Sequence, residues 1–261
     1  MKKIMFAKMS GAGNDFVVTD SKIPGNPALL AKKICDRKSG IGADGLLLLG
    51  RMKNGDIRMR IFNADGSEAE MCGNGARCAA FFSKRKSLRL HTPAGIIAAR
   101  VSGGRVKIKL TDPRGLRMDI PLKLGIRRIK VNFIDTGVPH AVIFVNGIEG
   151  IDVKGIGSQV RNHKEFFPRG ANVNFVEEEG AGMIRVRTYE RGVEDETLAC
   201  GTGSTASALV FASKKGISGL VKVKTQSGEI LRVYFKDKGG SFTDVWLEGG
   251  ARIVYKGEYY V

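Results

Sequence analysis

Two short segments carry the residue types best suited to chemistry: "MCGNGARC", containing Cys72, and "ACGTGSTA", containing Cys200. Each sets a cysteine ahead of Gly-x-Gly and a run of small residues, and the two lie nearly half the chain apart. Both read as strand, loop, Cys-Gly-x-Gly, helix, which puts each thiol at or just before a helix N-terminus. Open backbone N–H groups and the positive end of the helix dipole favour a thiolate there, with thiol pKa values of about 3.5–7.5 in favourable sites. The glycines let the same N–H groups approach a carboxylate closely. A poised thiol and an anion cradle are therefore predicted twice.

If the two segments belong to domains that face each other across a pseudo-twofold axis, the thiols converge on one cleft from opposite sides. One can then take a proton from a Cα while the other returns a proton to the far face. The outcome is racemisation or epimerisation, and the proton traffic requires no cofactor. An α-proton is very weakly acidic, so such a site must also be dry and rich in donors around the carboxylate. The remaining cysteines, Cys35 and Cys78, read as packed small hydrophobes. Cys72 and Cys78 form C-x5-C without third and fourth ligands in register, a poor zinc pattern, so no metal is expected. A Cys72–Cys200 disulfide would mark oxidative inactivation rather than a working state.

The elements that must hold these thiols are mostly strands. Thirty-five glycines and short alternating runs point to many strands joined by tight turns. Strands are predicted over 5–9, 16–20, 46–50, 57–62, 96–101 and 106–110, then 129–134, 141–145, 172–177, 183–189, 221–225, 230–235 and 241–247. Helices are predicted over 28–36, 75–84 and 204–214. The last two are apolar most of the way round, which suits a helix sheathed by a sheet.

Internal repetition organises the whole chain. "SGAGNDFVV" parallels "TGVPHAVIF", setting Asn14 opposite His140, and "RMRIFNADGSEAEMCGNGARCAAFF" parallels "IRVRTYERGVEDETLACGTGSTASALVF". "HTPAGIIAARV" parallels "KTQSGEILRVYF", and "VKIKLTDPRG" parallels "DVWLEGGARI". Four phrases recurring in one order indicate a tandem duplication. The seam is expected near 121–128, giving domains 1–122 and 123–261.

Hydrophobic content of 43% and charged content of 26% are those of a soluble globular protein. No apolar run approaches a membrane span, and Lys8 interrupts the apolar N-terminal stretch, so a first strand is expected there rather than a signal peptide. A reducing cytoplasm is the expected compartment. The net charge of +17, from 43 Lys and Arg against 26 Asp and Glu, invites a nucleic-acid reading. Most basic residues alternate along strand-like segments, as in "RVKIKL", and no zinc-finger or RRM-type signature accompanies them. Attraction of an anionic substrate is an equally economical use of that field, and no nucleic-acid partner is expected.

With these residues on the page, the chain resembles the diaminopimelate epimerase family over nearly its whole length. The phrases that carry the likeness are "KMSGAGNDFVV", "GIGADG", "IFNADGSEAEMCGNGARC", "TGVPHAVIF", "RGANVNFV" and "YERGVEDETLACGTGSTASA". The resemblance implies cofactor-independent interconversion of LL- and meso-diaminopimelate, on the route to lysine and peptidoglycan. It implies an α+β fold of two pseudosymmetric domains, each a curled, mainly antiparallel sheet around a central helix, and a homodimer. Carried over by motif, Cys72 and Cys200 are the acid–base pair. Gly73, Asn74, Gly201 and Thr202 bind the carboxylate on the reacting centre. Asn14, Asn63 and Asn172 contact substrate, Arg191 pairs with the distal carboxylate, and Glu190 takes an ammonium. His140 and Glu190 fall where the family tunes its thiols. Three departures stand out: Val138 where many members have Asn, Gly45 where they have Gln, and a longer loop with Glu194–Asp195 before Cys200. A proline racemase or hydroxyproline epimerase is the nearest rival, expected to have a smaller and more apolar pocket. A phenazine-biosynthesis isomerase would share the fold and lack the cysteine pair. A basic nucleic-acid-binding module is the rival from another class.

Overall fold

The computed structural model describes residues 2–261. They form two compact units, one comprising residues up to Ile108 together with Gly249–Val261, the other Lys109–Glu248. The fold is mixed α+β, and among the described residues no helix is long and apolar enough to cross a membrane.

The first unit contains β1 (Lys3–Gly11), β2 (Asn14–Thr19), α1 (Pro27–Ile34), β3 (Gly45–Arg51), β4 (Ile57–Asn63), β5 (Glu68–Ala69), α2 (Gly73–Phe82), β6 (Ser87–Thr92), β7 (Gly95–Ser102) and β8 (Arg105–Lys109). The second contains β9 (Arg114–Leu124), β10 (Arg127–Asp135), β11 (Pro139–Phe144), α3 (Val153–Arg161), β12 (Asn172–Gly180), β13 (Met183–Glu190), β14 (Asp195–Thr197), α4 (Gly201–Lys215), β15 (Leu220–Lys224), β16 (Ile230–Asp237) and β17 (Phe242–Gly250). The chain ends in β18 (Arg252–Tyr260).

Strand pairing repeats element by element. In the first unit β1–β2 is antiparallel, β2–β3 parallel, β3–β4 antiparallel, β4–β6 parallel and β6–β7 antiparallel. In the second, β10–β11 is antiparallel, β11–β12 parallel, β12–β13 antiparallel, β13–β15 parallel and β15–β16 antiparallel. Each unit also takes one strand from beside its own repeat: β18 pairs with β1, and β9 pairs with β10. The expected boundary at 122/123 therefore falls inside a β9–β10 hairpin of the second unit, and the last residues of the chain return to the first. Pro121 stands at the start of the expected seam. It sits within β9, opposite Lys130, a position tolerated because β9 pairs along one side with β10.

Each sheet encloses one helix and carries another on its outside. α2 meets β1, β2, β3, β4, β6, β7 and β18, while α4 meets β10, β11, β12, β13, β15 and β16. Surrounded in this way, α4 buries every residue from Gly203 to Ala212. Small side chains are what let strands close around a helix. α1 packs through Leu30, Ala31 and Ile34 against Ile4, Val17, Leu46 and Phe62, with Cys35 in the same cluster. Burial pushes the Cys35 thiol up to about 12, which fits the inert packing role expected for it.

The sequence gives no helical signal for α3, whose Gly155 and Gly157 lower its propensity. Tertiary packing overrides this: Val153 and Val160 join Ala141, Val173, Phe175 and Tyr189 in one core. Gly157 is needed because Tyr189 presses against the helix there. A Cβ at 157 would lie 2.6 Å from the Tyr189 Cβ. Gly157→Ala is expected to destabilise the protein by about 1–3 kcal/mol through overpacking, outweighing a helix-propensity gain of about 1 kcal/mol. The measurement is the denaturant midpoint, which should fall with an unchanged slope.

Candidate active site

The two cysteines occupy the same local geometry. Cys72 is the N-cap of α2, with extended backbone (φ −142°, ψ 120°), and its Sγ accepts the Gly75 N–H at 3.4 Å. Cys200 is the N-cap of α4 (φ −115°, ψ 115°), and its Sγ accepts the Gly203 N–H at 3.4 Å. Cysteine thus takes the place usually held by Ser, Thr, Asp or Asn. The first intrahelical bonds are Ala76 N–H to Cys72 O and Ser204 N–H to Cys200 O, both 2.8 Å. The amides of Gly73, Asn74, Gly201 and Thr202 therefore lie in the helix-end region that can receive an anion. An N–H aimed at sulfur, at the positive end of a helix, stabilises the charge of a thiolate.

In the first unit a polar chain leads away from this cap. Asn74 is buried and donates from Nδ2 to Asn14 Oδ1 at 2.6 Å. Asn14 in turn donates to Asp44 Oδ2 at 2.9 Å. Asn14 follows directly on the turn that joins β1 to β2, where Ala12 and Gly13 both have positive φ (51° and 88°). Asp15 beside it pairs with Lys8 at 2.7 Å and with Arg37 at 2.9 Å. Hydrogen bonds from Arg37 and Lys8 outweigh the effect of its burial and hold the Asp15 carboxyl at about 2. Asn63 lies opposite Gly45 at the end of β4 and donates to Ser67 Oγ at 2.9 Å. At Gly45 a Cβ would lie 2.8 Å from the Phe62 carbonyl oxygen, so the backbone leaves no room for a side chain there.

In the second unit the equivalent shell is different. His140 and Asn172 lie in register on β11 and β12. Asn172 Oδ1 accepts the Arg191 N–H at 2.8 Å, and Arg191 Nη1 donates to Arg169 O at 2.9 Å. Glu190 accepts from Thr197 Oγ1 at 3.1 Å, and burial raises its carboxyl pKa. Thr202 Oγ1 lies 3.5 Å from Cys200 Sγ. His140 is fully buried, and burial followed by the nearby Arg191 charge lowers it to about 3, so it is neutral at physiological pH. Asn174 Nδ2 lies 3.1 Å from its Nδ1 and donates also to Ala141 O, so Nδ1 is the acceptor and Nε2 carries the proton. That Nε2 has no hydrogen-bond partner within the protein among the described residues. The loop before Cys200 is tied down by its acidic pair. Glu194 accepts from Arg161, Tyr189 and Gly192, and Asp195 pairs with Lys154.

The structure therefore brings Cys72, Asn74 and Asn14 into one connected cluster, and links Asn172 to Arg191 and Cys200 to Thr202. Asn63 sits at the same sheet end as Gly45, joined to its own turn. Sequence reasoning missed Asn174, Thr188 and Arg77. Asn174 Oδ1 accepts from Thr188 Oγ1 at 3.0 Å and would lie 2.3 Å from a Cβ at Gly203. A polar residue two positions after Asn172 in a buried strand was the available signal, since residues i and i+2 share a face.

The chain matches the family model described as diaminopimelate epimerase over residues 6–120 and 132–253. It is 43% identical over 261 residues to the diaminopimelate epimerase of Chlorobaculum tepidum, covering 95% of this chain and 98% of that one. It is 41% identical to that of Aquifex aeolicus, covering 97% and 96%. Among solved structures, a PhzF-family phenazine biosynthesis protein of Bacillus anthracis superposes with a TM-score of 0.75 at 17% identity, covering all of both chains. At that identity the likeness concerns the fold alone.

The buried imidazole makes stability depend on pH. Unfolded, His140 regains its ordinary value of 6.5, against about 3 when folded. Between these values the unfolded chain binds the extra proton, so stability rises with pH across the window and is lost as pH falls below 6.5. Lowering the pH from 7 to 5 should cost about 2 kcal/mol through this group. Denaturation midpoints measured between pH 5 and 7 should show that slope, and His140→Asn should flatten it.

Proposed function

Because the chain belongs to the diaminopimelate epimerase family, we propose that it interconverts LL- and meso-diaminopimelate with Cys72 and Cys200 as the acid–base pair. One sulfur, as thiolate, takes the proton from Cα, and the electron pair left behind delocalises into the adjoining carboxylate. The other sulfur, as thiol, gives its proton to the opposite face of the same carbon, becoming the thiolate. Atoms and charge balance, and the reverse reaction exchanges the roles. The observation that carries this reading is the duplicated cap: two cysteines, each at a helix N-terminus, each receiving the third helical N–H at 3.4 Å.

The amides of Gly73, Asn74, Gly201 and Thr202 suit the carboxylate of the reacting centre, where negative charge grows during proton removal. Asn14, Asn63 and Asn172 can both donate and accept, as a ligand with carboxylates and ammonium groups requires. Arg191 fits the distal carboxylate through a charge-assisted pair, and Glu190 fits an ammonium. His140 enters as a neutral ring whose Nε2–H is available to donate, not as an imidazolium. The family likeness also supports a cytoplasmic homodimer that serves lysine and peptidoglycan-precursor synthesis.

Proton NMR of LL-diaminopimelate with the reduced protein in D₂O tests the reading. The α-proton signal should disappear as the meso isomer forms. Cys72→Ser and Cys200→Ser should each lower epimerisation by about 10²-fold or more while leaving the fold intact. Wild-type turnover in either variant removes that cysteine from the mechanism, and α-proton exchange in proline instead of diaminopimelate moves the substrate to the rival class.

A further inference from the structure

Arg77 is the single charged side chain on α2, and it is fully buried at 0% exposure. A guanidinium offers donors only and is costly to bury unless acceptors meet it. One acceptor is Asn74: Arg77 Nη2 donates to Asn74 Oδ1 at 2.7 Å. That bond commits the oxygen of the Asn74 amide toward the helix interior and turns its NH₂ outward. Asn74 Nδ2 then donates to Asn14 Oδ1 at 2.6 Å, which commits Asn14 in the same sense. Asn14 Nδ2 donates to Asp44 Oδ2 at 2.9 Å, and a carboxylate only accepts.

The chain thus begins at a group that can only donate and ends at one that can only accept. Between them, neither asparagine amide can rotate by half a turn without setting donor against donor or acceptor against acceptor. Asp44 is itself held, because its other oxygen accepts from Arg37 at 2.9 Å. The cap of α4 has no counterpart. Thr202 and Thr205 stand where Asn74 and Arg77 stand in α2, and Thr205 donates to Gly201 O at 2.9 Å.

We infer that Arg77 is a positioning residue which, together with Asp44, locks the Asn74 and Asn14 side-chain amides in one orientation for substrate. The inference rests on the reading that these asparagines contact diaminopimelate. A freely rotating asparagine amide meets a carboxylate with its NH₂ or an ammonium with its oxygen, and so distinguishes them poorly. Locked, each amide has one remaining N–H and one remaining lone pair in fixed places. Arg77 therefore governs which end of a carboxylate-and-ammonium ligand is accepted at Cys72, without touching it.

The test uses Arg77→Met, which keeps length and removes the donor, and Asp44→Ala, which removes the terminal acceptor at an exposed residue. Side-chain amide signals of Asn14 and Asn74 in the ¹⁵N-labelled, substrate-free protein should exchange faster in both variants. KM for LL-diaminopimelate should rise about tenfold, the scale of one charge-assisted bond, with the pH profile of kcat unmoved. Wild-type amide exchange and KM in a folded Asp44→Ala protein overturn the inference. So does a shifted kcat pH profile at constant KM, which would make Arg77 a charge acting on the thiol. If wild type fails to turn over diaminopimelate, the functional reading falls, while the amide signals still decide whether Arg77 and Asp44 lock the chain.

Discussion

Much of this structure depends on one interaction, a backbone N–H from the first turn of a buried helix donating to a cysteine sulfur. The interaction fixes the sequence grammar. The third helical residue must supply the N–H, and it must have no side chain. A Cβ at Gly203 would lie 2.3 Å from Asn174 Oδ1 and 3.3 Å from Cys200 Sγ, and one at Gly75 would lie 3.2 Å from Leu47 Cδ2. Small residues after the cap let the sheet close around the helix, and closure fixes where the helix begins. Cysteine, glycine and small-residue run are three requirements of one arrangement, which is why they recur together.

What could be read from the sequence follows from how local each requirement is. The caps, the buried helices α2 and α4, and the duplication were legible because each is written in contiguous residues. The division into units was not, because it depends on where two strands pair. β9 directly precedes the strands it joins, whereas β18 joins β1 from the far end of the chain, so one linear seam cannot divide the units. α3 was missed because of its two glycines, of which Gly157 answers to Tyr189, more than thirty residues away, and Gly155 to the N-cap Asp152. Arg77 was visible as the only charge in a run of small residues, but its bond to Asn74 depends on the helix being enclosed. His140 could be singled out in the sequence as a candidate, whereas its neutrality follows from complete burial and the nearby Arg191 charge.

The positive charge bears on the proposed reaction in an unexpected way. Diaminopimelate carries two carboxylates and two ammonium groups, so at neutral pH it has no net charge to be steered by a field of +17. The sequence-level idea that the charge attracts an anionic substrate therefore does not suit this substrate. Recognition must come from short-range pairing at each end of the molecule. Many of the basic residues are engaged locally on the sheets, as in Arg60 with Glu68, Arg187 with Glu196 and Arg232 with Glu248. Of these, Arg60–Glu68 is the most exposed, and exposed pairs contribute little stability individually.

Duplication has kept one part of the site constant and let another diverge, and the proposed chemistry explains both. An epimerisation run in either direction requires each sulfur to hold the negative charge in turn. The two caps must therefore be equivalent, and they are, down to the same donor position and the same 3.4 Å distance. The substrate is not equivalent on its two sides, because one stereocentre reacts and the other does not. Recognition must break the symmetry that proton transfer needs. The shells behind the two caps do differ. One runs from the buried cation Arg77 through two asparagines to Asp44, and the other bonds the neutral His140 to Asn174, which in turn accepts from Thr188. A duplicated fold can serve a reversible two-base reaction when its backbone donors stay paired and its side-chain shells do not.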